Sequence, residues 1–248
     1  IYMWKKEYDS AIKDFEEVKK CGYDLWEGKY IDFFKYENEK DKEMILPLQY
    51  DEASGYCDNI QLMVGSRDHY DCWTELIPSA DFVDYYRNAD GSEFKWSAYL
   101  TGWDDLTPAQ REVFFLRNNL TSNQSAYNDA KSRIGAEVMN KYYLDSGNEA
   151  RIKKAYESRD PRLQQTIITP YSSTNCYSPY WNSGEPMQNK VLRWPYLNRG
   201  GNNGDMWHNQ RNAGYYIYKK YNETEKGRYI ERLRCHCDYP LIRFTDVW

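Results

Sequence analysis

Apolar residues near the start of the chain recur at Tyr8, Ala11, Ile12, Phe15 and Val18, with Lys, Glu and Asp between them. Steps of three and four residues place them on one face of an α-helix. Asp9 is positioned to cap that helix and Gly22 to close it. The run Glu43 to Tyr50 reads as a short strand, which Pro47 demotes to an edge or bulge because proline cannot donate to a ladder. Residues 51–75 show no period and read as loop. Leu76-Ile77-Pro78-Ser79 opens a short helix, with Ser79 as cap and Phe82, Val83 and Tyr86 on one side; Asn88 to Gly91 is turn chemistry. Thr107-Pro108-Ala109-Gln110 is a helix start, with a capping Thr, a proline in the first turn and a Gln three residues on. Helices are expected over 108–119, 126–143 and 148–158, the last stopped by Pro161.

Beyond Arg162 the texture changes. Between Tyr171 and Tyr218 stand six charged residues, ten Tyr or Trp and eight Asn, with Gly200-Gly201-Asn202-Asn203-Gly204 among them. Gly214 to Tyr221 reads as a strand. The chain is thus mainly helical, with long irregular loops and a few short strands, and long loops in a compact domain usually carry function. At 248 residues it has ample length for a core.

Composition sharpens this picture. Aromatic residues make up 17% of the chain, with 25 Tyr and nine Trp, which excludes a disordered segment. The longest uncharged run, Leu163 to Gly184, is rich in Gln, Thr, Ser and Asn and holds two prolines, so it is no membrane span. A net charge of −5 with interspersed signs argues against a nucleic-acid backbone as partner. The six cysteines make no disulfide framework, though Cys57 and Cys72 bracket a short loop and are candidates to pair in an oxidising compartment. Cys235-His236-Cys237 lacks the spacing and the second pair that a zinc site needs. No metal, cofactor or catalytic residue is expected. Asp104, Asp105, Asp160, Glu185 and Asp205 are available carboxylates, yet any chain with 38 acidic residues offers pairs of that kind.

Sugar rings present one apolar C–H face and a rim of hydroxyls. A surface that holds them needs flat aromatic faces for the first and amide or guanidinium groups for the second. Tyr180, Trp181, Trp194, Tyr196 and Trp207, with Tyr70 and Trp73 from the earlier loop, are the candidate platforms. Asn182, Asn198, Arg199, Asn202 and Asn203 are the candidate polar partners. The competing reading is that these aromatics plug a core beneath long loops with their polar tips wet.

The motifs fall in an order that resembles the SusD/RagB family of outer-membrane nutrient-binding lipoproteins. Asp238-Tyr239-Pro240-Leu241-Ile242-Arg243-Phe244-Thr245-Asp246-Val247 is similar to the family's D-[WY]-P-L-I-R-[YF]-x-D-V signature. Arg159-Asp160-Pro161-Arg162-Leu163 resembles its R-D-P-R segment, and Gly214 to Tyr221 its G-Y-x-x-x-K-Y strand. Leu76 to Asp84 with Asp90-Gly91, and Lys42 to Tyr50, resemble two further segments. The opening helix, Tyr-x2-Ala-x3-Phe-x2-Val, matches half of a tetratricopeptide-type hairpin. These motifs read as structural: Pro161 ends a helix, Pro240 starts one, and Asp160 pairs locally with Arg162.

The resemblance implies a single SusD-like domain with a tetratricopeptide-like helical scaffold and a loop-rich half that bears the ligand face. Residues 1–50 form the helical-repeat unit and short strand, and 51–248 the ligand-face part, ending at the start of another helix. Both ends read as cut from a longer protein. The function implied is non-catalytic binding of an oligosaccharide or polysaccharide at the outer-membrane surface, for delivery to a SusC-like TonB-dependent transporter. Membrane attachment would be through a lipidated N-terminus outside this chain. An oligopeptide-binding lid of a similar transporter is the alternative, and a glycoside hydrolase a more distant one.

Overall fold

The computed structural model describes residues 1–207, 215–222, 224–227, 230–231 and 234–247. The chain divides into two compact units, residues 1–59 with 229–248, and residues 60–228. The boundary falls later than residue 50, and the C-terminal segment returns to the first unit, because a strand near each end pairs with the other.

In the smaller unit the amphipathic helix spans Tyr8–Lys20, with Ala11 buried on its inner face. Its cap position is Glu7, two residues before the expected Asp9, so Asp9 sits in the first turn, where its charge complements the helix dipole. Gly22, at φ +95°, closes the other end in a conformation that disfavours a side chain. The strand Met44–Leu48 pairs antiparallel with Tyr239–Arg243, and its register slips between Leu46 and Pro47. Pro240 therefore lies in a strand, facing Pro47, and the helix starts four residues later at Phe244. The two prolines meet where the ladder is already irregular, so neither removes a needed donor. Glu43 ties the unit together. Its buried carboxylate accepts the Trp26 N–H at 2.7 Å and the Thr245 hydroxyl.

The larger unit is helix-rich, its helices packed around an apolar and aromatic core. Within the expected loop 51–75 a short helix, Ile60–Val64, forms. Ser79 caps the helix Ala80–Asp84 by accepting the Phe82 N–H; Val83 is buried and Phe82 exposed. The Thr107–Gln110 capping box also forms, but the segment that follows, Gln110–Phe115, is a 3₁₀ helix. Val113, Phe114, Phe115 and Leu116 are all buried, so no single face of an α-helix would serve them. The Asn148 side chain, itself buried, donates to the carbonyls of Val113, Phe114 and Leu116 in place of a helical ladder. The expected helix 126–143 is two, Gln124–Ile134 and Ala136–Tyr142, broken at Gly135 with φ +101°. The third spans Asn148–Glu157.

Pro161 does not only end a helix. It occupies the first turn of the next one, Pro161–Thr166, which Asp160 caps through the Arg162 N–H while pairing with the Arg162 guanidinium. Arg159 before it is buried, donates to the carbonyls of Val83 and Tyr86 and stacks 3.7 Å over Phe94. The expected strand at 214–221 is reduced to Ile217–Tyr218, paired with Ile167–Ile168; Gly214 lies outside the described residues. Ser173–Cys176 pairs with Met187–Val191, and the buried Ile168, Cys176, Met187, Leu192, Met206 and Ile217 form a second, smaller core. None of the six cysteines forms a disulfide, the candidate pair Cys57 and Cys72 included. Among the described residues no helix is long and apolar enough to cross a membrane.

Candidate functional site

The loops over the smaller core bring most of the candidate residues together. The loop 66–74 is held from within: the Ser66 hydroxyl lies 2.8 Å from His69 Nδ1, Ser66 N–H donates to the same nitrogen, and Thr74 Oγ1 donates to the Gly65 carbonyl. His69 is fully buried, and desolvation drives its pKa down to about 3, so it serves as a neutral acceptor. The turn aims Asp68 inward. Its carboxylate, also buried, accepts the Trp207 N–H at 2.6 Å and Arg199 Nε at 3.2 Å, with Lys190 Nζ at 3.7 Å. Burial pushes the Asp68 carboxyl up and the Lys190 ammonium down, and each charge opposes the shift of the other. Lys190 also donates to the carbonyls of Arg199 and Gly200, closing the glycine-rich turn.

Arg199 stands between two indoles. Its guanidinium lies 3.6 Å from the Trp181 ring centre and 4.3 Å from that of Trp207, and the two rings meet edge to face at 5.9 Å. Trp181 Nε1 donates to the Arg67 carbonyl, and its ring packs on the smaller core. One face of each indole is therefore covered by the guanidinium, a cation–π stack that fixes the loop. Burial raises the phenol of half-buried Tyr196. Tyr70 packs edge to face on Tyr177, and its N–H donates to the Tyr177 carbonyl, joining the two aromatic loops. Of the candidate aromatics, Tyr180 is the most exposed, at 60%, and Trp73 is 38% exposed.

Trp194 is set apart. Its ring packs against the main core, meets Tyr215 edge to face, and donates through Nε1 to Glu112 at 2.9 Å. Its indole face is thus occupied by protein, as the competing reading of the aromatics expects.

The polar candidates divide likewise. Asn182 donates to the carbonyls of Glu185 and Pro186, and Asn202 Oδ1 accepts the Gln188 N–H at 2.8 Å, so both shape the turns. Asn198 and Asn203 instead line a cavity of about 440 Å³ with Arg117, Asn119, Arg193 and Asp205. Asp205 organises it. Oδ2 accepts Arg117 at 2.7 Å and the N–H groups of Leu197 and Asn198 at 3.0 Å, while Oδ1 accepts Arg193 at 3.1 Å. Burial alone would raise its pKa, but the two backbone donors and the Arg117 guanidinium hold the carboxyl below the usual range. Gly204 lets the turn close: a Cβ there would lie 1.9 Å from the Arg199 carbonyl oxygen.

Sequence reasoning missed Asp68, Lys190, Arg117 and Arg193, and weighed Asp205 only as a hydrolytic carboxylate. The signal was thin: Lys190, Arg193 and Asp205 are isolated charges in a stretch otherwise of aromatics and amides. Of the other available carboxylates, Asp160 pairs with Arg162 and the exposed Glu185 with Lys226. Among the described residues no cluster of His, Cys, Asp or Glu is arranged to hold a metal.

A family model described as the SusD family matches residues 25–248. The chain is similar in fold to a SusD-like carbohydrate binding protein from Bacteroides fragilis NCTC 9343, with a TM-score of 0.52 at 17% identity over 99% of this chain and 36% of that one. It is also similar to a second SusD-like protein of the same organism, with a TM-score of 0.51 at 18% identity over 99% of this chain and 39% of that one. The chain spans little more than a third of the length of those structures. No curated protein matches it.

Proposed function

The chain belongs to the SusD family, and from that premise we propose that it binds glycans, without cleaving them, on the loop face of its larger unit. The bound glycan is held at the outer-membrane surface and passed to a SusC-like TonB-dependent transporter, the whole protein being anchored there by lipid. The helix Tyr8–Lys20 is one unit of a tetratricopeptide-like scaffold in this reading.

The observation that carries the assignment is the exposure of Tyr180 beside a rigid aromatic platform. A large aromatic left 60% open to solvent, on a loop tied to a second aromatic loop, is placed to cover a sugar's C–H face. Trp73 serves alongside it. Trp181, Trp207 and Arg199 act one layer down, as the clamp that keeps the platform in place, with Tyr70 and Tyr196 packed about it. Asn198 and Asn203 supply the polar edge. The reading without hydrolysis is supported by Asp205, whose two oxygens are both taken by donors and are not free to protonate a leaving group or activate water.

Calorimetric titration against plant, host and microbial polysaccharides and a mixed peptide pool tests this. Saturable binding to one glycan class is expected, weakened about tenfold in Tyr180→Ala and in Trp73→Ala, the scale of ~1.4 kcal/mol for one lost stacking contact. An affinity unchanged in both variants refutes the site. Binding to peptides alone refutes the ligand class.

A further inference from the structure

The cavity around Asp205 has a chemistry the aromatic platform lacks. Leu197 is the one apolar residue among those lining it, and no ring lines it. Asp205 grips Arg117 and Arg193 through one terminal nitrogen each, with weaker contacts from the same nitrogens to the carbonyls of Pro195 and Asn203. Among the described residues nothing accepts from Nε or the second terminal nitrogen of either guanidinium. Most of the five N–H donors that each carries therefore remain unspent. The side-chain amides of Asn119, Asn198 and Asn203 likewise make no hydrogen bond among the described residues.

The charges at the cavity must be set against this. Asp205 and Glu149 balance the two arginines in charge, but only Asp205 has both oxygens bonded, while Glu149 has one. Asp205 is 2% exposed and accepts four N–H donors, and Glu149 accepts the Asn118 N–H at 3.0 Å. Donors thus exceed free acceptors at the open surface. A neutral sugar hydroxyl both gives and takes hydrogen bonds and leaves such a surplus unmet. An ionised acidic group only accepts, and the planar guanidinium matches it edge to edge. At about 440 Å³ the space lies within the roughly 300–1,000 Å³ of small-molecule sites.

We propose that this cavity is a subsite for the anionic substituent of an acidic sugar, a carboxylate or sulfate held by Arg117 and Arg193 and flanked by Asn198 and Asn203. The proposal rests on the glycan-binding reading and narrows it to acidic glycans. The turn 197–205 serves both places, with Arg199 locked into the indole clamp and Asn198 and Asn203 facing the cavity.

The test is titration of the chain with a galacturonate trisaccharide, a sulfated disaccharide and their neutral counterparts, at low and physiological salt. The expected result is at least tenfold tighter binding of one acidic probe than of its neutral counterpart, and the tighter of the two acidic probes identifies the substituent. Arg193→Gln removes a guanidinium while Arg117 stays on Asp205, and is expected to abolish the preference while leaving neutral binding unchanged. Asn198→Asp, which adds a negative charge at the rim, is expected to weaken the acidic probes more than the neutral ones. Tyr180→Ala is expected to weaken acidic and neutral probes alike. Equal affinity for acidic and neutral sugars, or a preference that survives both Arg193→Gln and Asn198→Asp, overturns the subsite and leaves glycan binding standing. No binding of any sugar overturns both.

Discussion

Replacing Asp205 by Ala removes an anion that four N–H donors share, two from guanidiniums and two from the backbone at Leu197 and Asn198. Breaking a buried ion pair from one side costs about 3–5 kcal/mol, because the remaining charge is left uncompensated. Here the side chains of Arg117 and Arg193 are 20% and 22% exposed, against 3% for Asp205, so both cations regain some water. That discounts the expected loss to about 2–4 kcal/mol. With a urea slope of about 2 kcal/mol per molar, the unfolding midpoint falls by about 1–2 M. Asp205→Asn keeps the size and one acceptor oxygen but not the charge, and is expected to lose most of the same stability.

The sign with pH follows from the depressed carboxyl. Its contribution is fully present above the ordinary carboxylate pKa and disappears as the pH falls through its lower folded value. The gap between parent and variant is therefore constant above about pH 5 and closes in stronger acid. Urea melts at several pH values measure the gap, and amide exchange reports on Leu197 and Asn198 directly. A difference under about 1 kcal/mol, the scale of a single exposed ion pair, refutes the organising role. So does a gap that persists unchanged into acid.

Two further outcomes are expected. His69 is buried neutral with its pKa lowered to about 3 from 6.5. Its contribution is fully present above pH 6.5 and is lost at up to ~1.4 kcal/mol per pH unit as the pH falls from there towards 3. The protection factor of the Cys72 amide, which donates to the His69 carbonyl, is expected to fall over that range once the ordinary slowing of amide exchange in acid is divided out, and a protection factor independent of pH contradicts the assignment. Gly204→Ala drives a methyl into the Arg199 carbonyl, so the turn must open. About 2 kcal/mol or more of stability is expected to go with it, a size reserved for backbone strain and comparable faults. Glycan affinity is expected to fall with it, and a variant with parental affinity and melting midpoint refutes the tight closure.

Composition along the chain singled out the stretch that holds the aromatic loops and the glycine-rich turn, but not how its members pack. Trp181, Trp194 and Trp207 look alike as letters. Trp181 and Trp207 clamp a guanidinium, Trp194 packs against the main core, and the greater exposure belongs to Tyr180 and Trp73. A ring's apolar face is equally suited to a sugar and to a protein core, so residue type alone does not separate the two uses. Asp205 was visible only as one carboxylate among many, because its four donors come from positions 117, 193, 197 and 198.

What the sequence by itself determined is local or repeated in a family pattern. The helix Tyr8–Lys20 follows from its apolar period and the Ser79 cap from a side chain that reaches its own backbone; the Asp160 cap and the break at Gly135 are equally local, although the sequence pattern reads as a helix ended by Pro161 and one running unbroken over 126–143. These are settled within a turn or two of chain. Tertiary structure decided what depends on distant segments. Pro240 became a strand residue because Pro47 lies opposite it, and Gln110–Phe115 wound into a 3₁₀ helix inside a core where Asn148 satisfies the carbonyls of Val113 and Leu116 from 35 and 32 residues away. Exposure belongs to the same class. Whether an aromatic face meets water, a guanidinium or another ring depends on which remote loop covers it, and that is set by the packing of the whole unit.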